Sequence, residues 1–387
     1  MTSPHTTPHV GYRRVPTGRL VLLVLVAAAV LAGLDAALVR LGAVAPVRSV
    51  PLGSVHGVLM VYGFLGTAIA LERAVALRSG GRARDRWGYG APIAGGAGTA
   101  LLIATLAGAP LPGGRLLAGL AWAAGMAVLT AIYLAVWRRQ QAFAVLLQLL
   151  GALAGLGGAA LWARGTEAAR IVPWWTGFLV LTIVGERLEL ARVAFLRGRT
   201  ETRVLTEATV VFGALAATLV APAVGYPLLG LALGALVVDT AMHDVARHTI
   251  RAAGLPRLVA VCMLAGYGWA LVAAGTWVVV GPALSGYPYD TVVHALTIGF
   301  ALSMVLAHAP VIVPAIARRP LPYHPVMWVA AGLLHIGLAV RVIAGARGAE
   351  AGWRLGGTIG VVAVLVLLGT VVAGLAGRGQ RAGTASR

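Results

Sequence analysis

The sequence predicts an all-helical bundle of about twelve membrane-crossing segments. Three observations carry the prediction: more apolar residues than a water-soluble fold of this size can bury, apolar runs that recur at bilayer length, and arginine that alternates between successive loops. Of 387 residues, 59% are hydrophobic and 11% charged, and the mean hydropathy is +0.88. A hydrocarbon layer about 30 Å thick takes about 20 helical residues. Only helices and closed barrels satisfy their own backbone polar groups in lipid, and runs this long and unbroken are helices rather than barrel strands.

The first segment, 18–42, is too long for a cleaved leader and lacks a convincing cleavage site, so it reads as a span. It carries Asp35 and Arg40, which are expected to serve each other. The second, 52–74, opens behind Pro51 with His56 and closes on Glu72 and Arg73. The third to fifth, 91–109, 115–137 and 141–163, are apolar throughout their interiors. The sixth, 173–195, holds Glu186, Arg187 and Glu189 in one half, and the seventh is 205–222. The eighth, 225–243, is the least secure as a span, since it carries Asp239 and ends beside His243. The ninth, 257–280, contains the single cysteine, Cys262. The tenth, 290–312, carries His294 and His308, and Pro310 and Pro314 are expected to kink or end it just past His308. The eleventh, 325–345, carries His335 and Arg341, and the twelfth is 355–376. These form one domain, 18–376. The flanking segments, 1–17 and 377–387, are polar and are expected to be disordered cytoplasmic tails.

Arginine supports both count and orientation. There is no lysine, and 23 of the 31 basic residues fall on the side that would hold the two tails. An odd number of spans would destroy that alternation, and the positive-inside bias puts both termini in the cytoplasm. The formal charge of +19 is therefore topological signal plus attraction to anionic headgroups of the bilayer. Charge scattered over short loops argues against a nucleic-acid partner. One cysteine allows neither a disulfide framework nor a thiolate metal site. The 52 glycines suit close approach of helices in lipid, and a composition-biased genome explains them equally well.

Four histidines stand inside apolar runs: His56, His294, His308 and His335. An imidazole in hydrocarbon calls for a partner, a metal or a proton path. His56 and His294 each lie about four residues into their segments, ~6 Å deep at 1.5 Å per residue, and both segments enter from the outer face. Two imidazoles at one depth on facing helices make an axial pair for a haem iron. Gly57, Gly63, Gly66, Ala295 and Gly299 keep their surroundings small enough for a flat macrocycle. The competing reading makes each a hydrogen-bonded interfacial residue. His308 and His335 form a second candidate pair, either sharing a metal or packing through hydrogen bonds. Arg48 and Arg341 flank the outer face, where guanidinium can grip haem propionates. Met60 and Met304, each four residues from a histidine, are soft copper ligands or core packing. Glu72, Arg73, Glu186, Arg187 and Glu189 read as structural ion pairs, with Glu186 the deepest. His243, Asp244 and His248 read as a solvated helix end.

The run His56-Gly-Val-Leu-Met60 resembles haem–copper oxidase subunit I, where a histidine-glycine pair opens helix two and ligates the low-spin haem. Twelve spans with cytoplasmic termini match that subunit as well. The run His294-Ala-Leu-Thr-Ile-Gly299 is similar to the NnrS family, twelve-span bacterial membrane proteins associated with haem, copper and the response to nitric oxide. The two motifs cover about a tenth of the chain. The resemblance implies haem b, with copper as a second metal, in a bacterial inner membrane. It departs from the oxidases in having no histidine on helices six and seven and Leu296 where a second helix-ten histidine stands. The oxygen-reducing copper centre is therefore expected to be missing. NnrS proteins carry further histidine near the helix-two motif, which Ser54 and Val55 do not supply, so copper is in question more than haem.

The expectation is a haem-binding protein acting in nitric oxide response or electron transfer, with a quinol or periplasmic donor as partner. The alternative is a secondary transporter whose buried histidines and Glu186 relay protons.

Overall fold

A computed structural model describes residues 16–79, 83–192 and 199–376. Of the expected tails, 1–17 and 377–387, residues 1–15 and 377–387 lie outside the described residues, and α1 begins at Thr17. Among the described residues there is no strand, and twelve helices are long and apolar enough to cross a membrane. They are α1 (Thr17–Arg40), α2 (His56–Ser79), α3 (Asp85–Leu106), α4 (Gly114–Gln140), α5 (Phe143–Ala163) and α6 (Ala168–Glu189). The second half supplies α7 (Thr200–Val220), α8 (Pro222–His243), α9 (Leu255–Val280), α10 (Gly286–Ala317), α11 (Val326–Ala346) and α12 (Glu350–Ala376). Each expected segment coincides with one helix, because unbroken apolar length is the strongest signal a sequence carries.

Two departures concern helix ends. Pro310 and Pro314 do not end α10, which runs on to Ala317. Its last carbonyls are taken up: buried Arg19 donates from Nη1 to the oxygens of Ala315 (3.4 Å) and Ile316 (3.2 Å), while its Nε reaches Tyr89 Oη. Asp35 does not pair with Arg40. Its Oδ1 accepts the backbone N–H of Val47 at 3.0 Å, which ties the α1–α2 connection down over the end of α1.

Neither of the two π-helical segments was foreseen from sequence. One occupies Leu59–Gly66 in α2 and the other Ala295–Leu302 in α10. A π turn carries one residue more than an α turn, and such segments frequently accompany functional sites. In α2 the tight winding resumes where Thr67 Oγ1 donates to the Tyr62 carbonyl at 2.9 Å.

Successive helices pack as neighbours, and α1 touches α12. Helix α10 runs inside, against α1, α2, α6, α9 and α11. Helices α5 and α6 approach closely. A Cβ at Gly151 would lie 3.0 Å from the Phe178 carbonyl oxygen, and one at Gly155 would lie 3.1 Å from the Phe178 ring. Lipid gives no hydrophobic drive between helices, so small residues that admit close van der Waals contact hold the pair. Tyr62 centres the first half, stacked on Trp122 with ring centroids 5.7 Å apart and donating to the Gly155 carbonyl at 2.9 Å.

Candidate functional site

The two helices with π-helical segments meet at a cavity of about 930 Å³, open space at its mouth included. It lies toward the face opposite the chain termini, where α2 and α10 begin. His56 and His294 both line it, with Met60, Trp175, Arg40 and Arg341 among the other wall residues. The walls come from α1, α2, α6, α10, α11 and α12, so distant parts of the chain build one space.

His56 is the first residue of α2, set off from a short helical turn, Val50–Ser54, by Val55 at φ −107° and ψ 8°. Its Nδ1 lies 2.7 Å from the carbonyl oxygen of Gly33 on α1. A carbonyl can only accept, so Nδ1 carries the proton and the Nε2 lone pair has no hydrogen-bond partner among the described residues. Gly33 is needed there, since a Cβ would come within 2.5 Å of Met60 Sδ. His294 lies deeper into its helix than its sequence position suggests, because α10 begins at Gly286. It makes the same kind of bond: Nδ1 stands 2.8 Å from the Asp290 carbonyl oxygen and 3.2 Å from Asp290 Oδ1. Both imidazoles are thus held in the tautomer that presents Nε2 as a ligand, the usual arrangement behind a metal-bound histidine.

Asp290 escaped the sequence reading, although it stands one helical turn before His294. Its carboxylate takes a bidentate pair of bonds from Arg341 at 2.7 and 2.8 Å, and a third from Trp353 Nε1 at 2.8 Å. The Arg341 guanidinium also lies 4.4 Å from the centre of the Trp353 ring. Arg341 Nε and Nη2 are committed to Asp290, while Nη1 faces α12, where a Cβ at Gly357 would collide with it. Arg48 is exposed and does not line the cavity. Arg40 lines it and has no ion-pair partner among the described residues.

The glycines divide differently from expectation. Gly57 faces the cavity beside Trp175, joined by Gly357 and Gly360 of α12. Gly63 and Gly299 instead admit neighbouring helices, Gly63 against Ala29 and Thr99 and Gly299 against Trp269. Met60 lines the cavity, and Met304 is buried against Gly266.

His308 and His335 belong to separate hydrogen-bond systems. His308 donates from Nδ1 to the Met304 carbonyl at 2.7 Å and accepts from Arg187 Nη1 at 3.1 Å through Nε2. His335 accepts at Nδ1 from Trp269 Nε1 (3.2 Å), and its Nε2 bonds Ser303 Oγ (3.1 Å), whose hydroxyl donates to the Cys262 carbonyl. Each ring has both nitrogens engaged by protein. Asp244 is the residue the reading as a solvated end misplaced. It is buried, receives Arg187 at 3.0 and 3.2 Å, accepts Tyr267 Oη at 2.6 Å and takes the Ala246 N–H at 2.8 Å. Arg187 therefore faces away from Glu186 and Glu189, toward α8 and α9.

Compared with known proteins, residues 19–376 match the model of one family, described as Domain of unknown function (DUF8744). No curated protein and no solved structure matches the chain.

Proposed function

The chain belongs to the DUF8744 family, matched over nearly its whole length, and from the cavity we propose that it is a multi-pass membrane protein that binds haem b between His56 and His294. The single observation that carries this reading is the pair of imidazoles lining one cavity, each with Nδ1 tied to a carbonyl and Nε2 left as a lone pair. The residues present suit the group in other respects. Gly57, Gly357 and Gly360 remove side chains from the walls, and the rest of the lining is largely apolar. Arg40 and the Nη1 of Arg341 are the cations placed to receive a macrocycle's carboxylates.

When bound, a haem with two imidazole ligands supplies one-electron redox chemistry, and release of one ligand would open a site for nitric oxide. The chain's own residues hold the ligands still. Gly33 orients His56, and Asp290 orients His294 while Arg341 and Trp353 fix Asp290. Trp175 and Met60 line the cavity's walls. The reading retains the NnrS-like role in nitric oxide response or electron transfer, with both termini in the cytoplasm of a bacterial cell. Copper at His308 or His335 is not part of it, because both rings are already satisfied.

A pyridine haemochrome assay on protein purified from membranes tests the proposal. The expected result is a b-type spectrum in wild type and loss of most haem from both His56→Ala and His294→Ala. Full haem retention in both variants, or none in wild type, would overturn it.

A further inference from the structure

A second buried polar site lies toward the other face, at the far end of α2. Among the described residues, Arg73 is the cation that its carboxylates share. Its Nε touches Glu72 Oε2, its Nη2 lies 3.0 Å from Glu186 Oε1, and its Nη1 lies 4.0 Å from Glu189 Oε2. The neighbouring cations are already neutralised: Arg139 by Asp85 at 3.1 Å on the α4 side, and Arg187 by Asp244 on the α8 side. Glu189 sits at the rim with 43% of its side chain exposed, whereas Glu72 and Glu186 are 19% and 18% exposed. The Arg73 guanidinium therefore faces two enclosed carboxylates, an arrangement that favours a shared proton.

Independent features point to an exchanging ligand at this place. A cavity of about 680 Å³, open space at its mouth included, adjoins it, lined by Arg73, Tyr133, Gln148, Glu189 and, near the end of α4, Arg139 and Gln140. Tyr133 of α4 is fully buried, lies within electrostatic reach of Arg73, Glu72 and Glu186, and its hydroxyl has no hydrogen-bond partner. Gln148 of α5 is 1% exposed, and its Nε2 has no partner either. Two orphaned donors on the wall of one small cavity fit water molecules that lead toward the carboxylates.

We propose that Glu72 and Glu186 form a proton-binding site, loaded through this cavity from the face that carries the chain termini. In loading, a hydronium ion in the cavity gives one proton to a carboxylate oxygen, leaving water and a carboxylic acid whose partner carboxylate stays paired with Arg73. Glu189 at the rim and Tyr133 on the wall line the route. The site lies apart from the histidine cavity and does not depend on any cofactor there, although α2 carries both.

Infrared spectroscopy of the full-length protein in lipid at neutral pH tests this, because a protonated carboxyl has a carbonyl stretch that carboxylates lack. The expected result is such a band in wild type that shifts down in D2O. It should be lost in Glu72→Gln or Glu186→Gln, each of which leaves one enclosed carboxylate for one guanidinium, and kept in Glu189→Gln. Absence of the band in wild type overturns the proposal without any variant. Its persistence in both Glu72→Gln and Glu186→Gln, with helicity unchanged by circular dichroism, does the same.

Discussion

The backbone oxygen of Asp290 stands 2.8 Å from Nδ1 of His294, while the carboxylate of the same residue grips Arg341. One residue thus links the orientation of an imidazole to an ion pair. Replacing Asp290 with Asn removes the charge that Arg341 needs, and losing one partner of a buried pair costs on the order of 3–5 kcal/mol. Asp290→Asn is expected to unfold at lower denaturant concentration in detergent and to bind less haem than wild type. Equal stability and equal haem content would show that the carboxylate is dispensable.

Gly33 offers a test that leaves every ligand in place. A side chain there meets Met60 Sδ, so Gly33→Val must push either Met60 into the cavity or the Gly33 carbonyl away from His56. Overpacking of this kind costs about 1–3 kcal/mol. The expected outcome is a protein that inserts and folds but has lower haem affinity, read by titration of haem into depleted protein. An unchanged affinity would mean that the contact between α1 and His56 is slack.

Arg187 and His308 separate structural from ligating roles. Arg187→Met leaves Asp244 buried with only Tyr267 and one backbone amide, and should destabilise by about 3 kcal/mol or more. His308→Ala removes one acceptor and should cost about 1–3 kcal/mol. Haem stoichiometry should be unchanged in His308→Ala. A drop in haem content there would bring His308 back as a ligand.

Helix approach is tested at Gly155. A Leu at this position would intrude on Met126 and the Phe178 ring, both buried. The expected cost is about 1–3 kcal/mol, seen as a lowered unfolding temperature in detergent. Tolerance of Leu would mean that α5 and α6 are not held by close packing.

Orientation can be mapped with thiols, because the one native cysteine, Cys262, is buried. A cysteine placed at Arg48 should react with an impermeant maleimide in intact cells, and one at Gln141 only after permeabilisation. The reverse pattern would invert the topology deduced from arginine.

Much of the fold is legible in the residues, because twelve unbroken apolar runs leave no other solution in lipid. What the residues concealed depends on partners far away in the chain. Asp35 next to Arg40 looks like an ion pair until the Val47 amide is seen above it, and Arg187 between two glutamates turns to Asp244 instead. His56 and His294 were visible as polar atoms in apolar runs. Gly33, Asp290 and Trp353 were not, since a backbone oxygen or a residue outside the motif leaves no mark in composition. Asp290 alone carried a usable sign: an acid four positions before a histidine on one helical face. Pro310 and Pro314 do not stop α10; the carbonyls their missing N–H groups leave unpaired are those of Leu306 and Pro310, while Arg19 takes up the end carbonyls of Ala315 and Ile316.

The wide turn at Leu59–Gly66 lies between the two chemically active ends of α2, His56 on one side and Arg73 on the other. A coil that holds one residue more per turn sets the angular phase between them. Deleting a single residue from this stretch would restore an ordinary ladder of hydrogen bonds and change the distance and the angle between the two ends of the rod. The imidazole would keep its place while the guanidinium turned away from Glu186, so the rod acts as a key whose two bits are cut at a fixed angle.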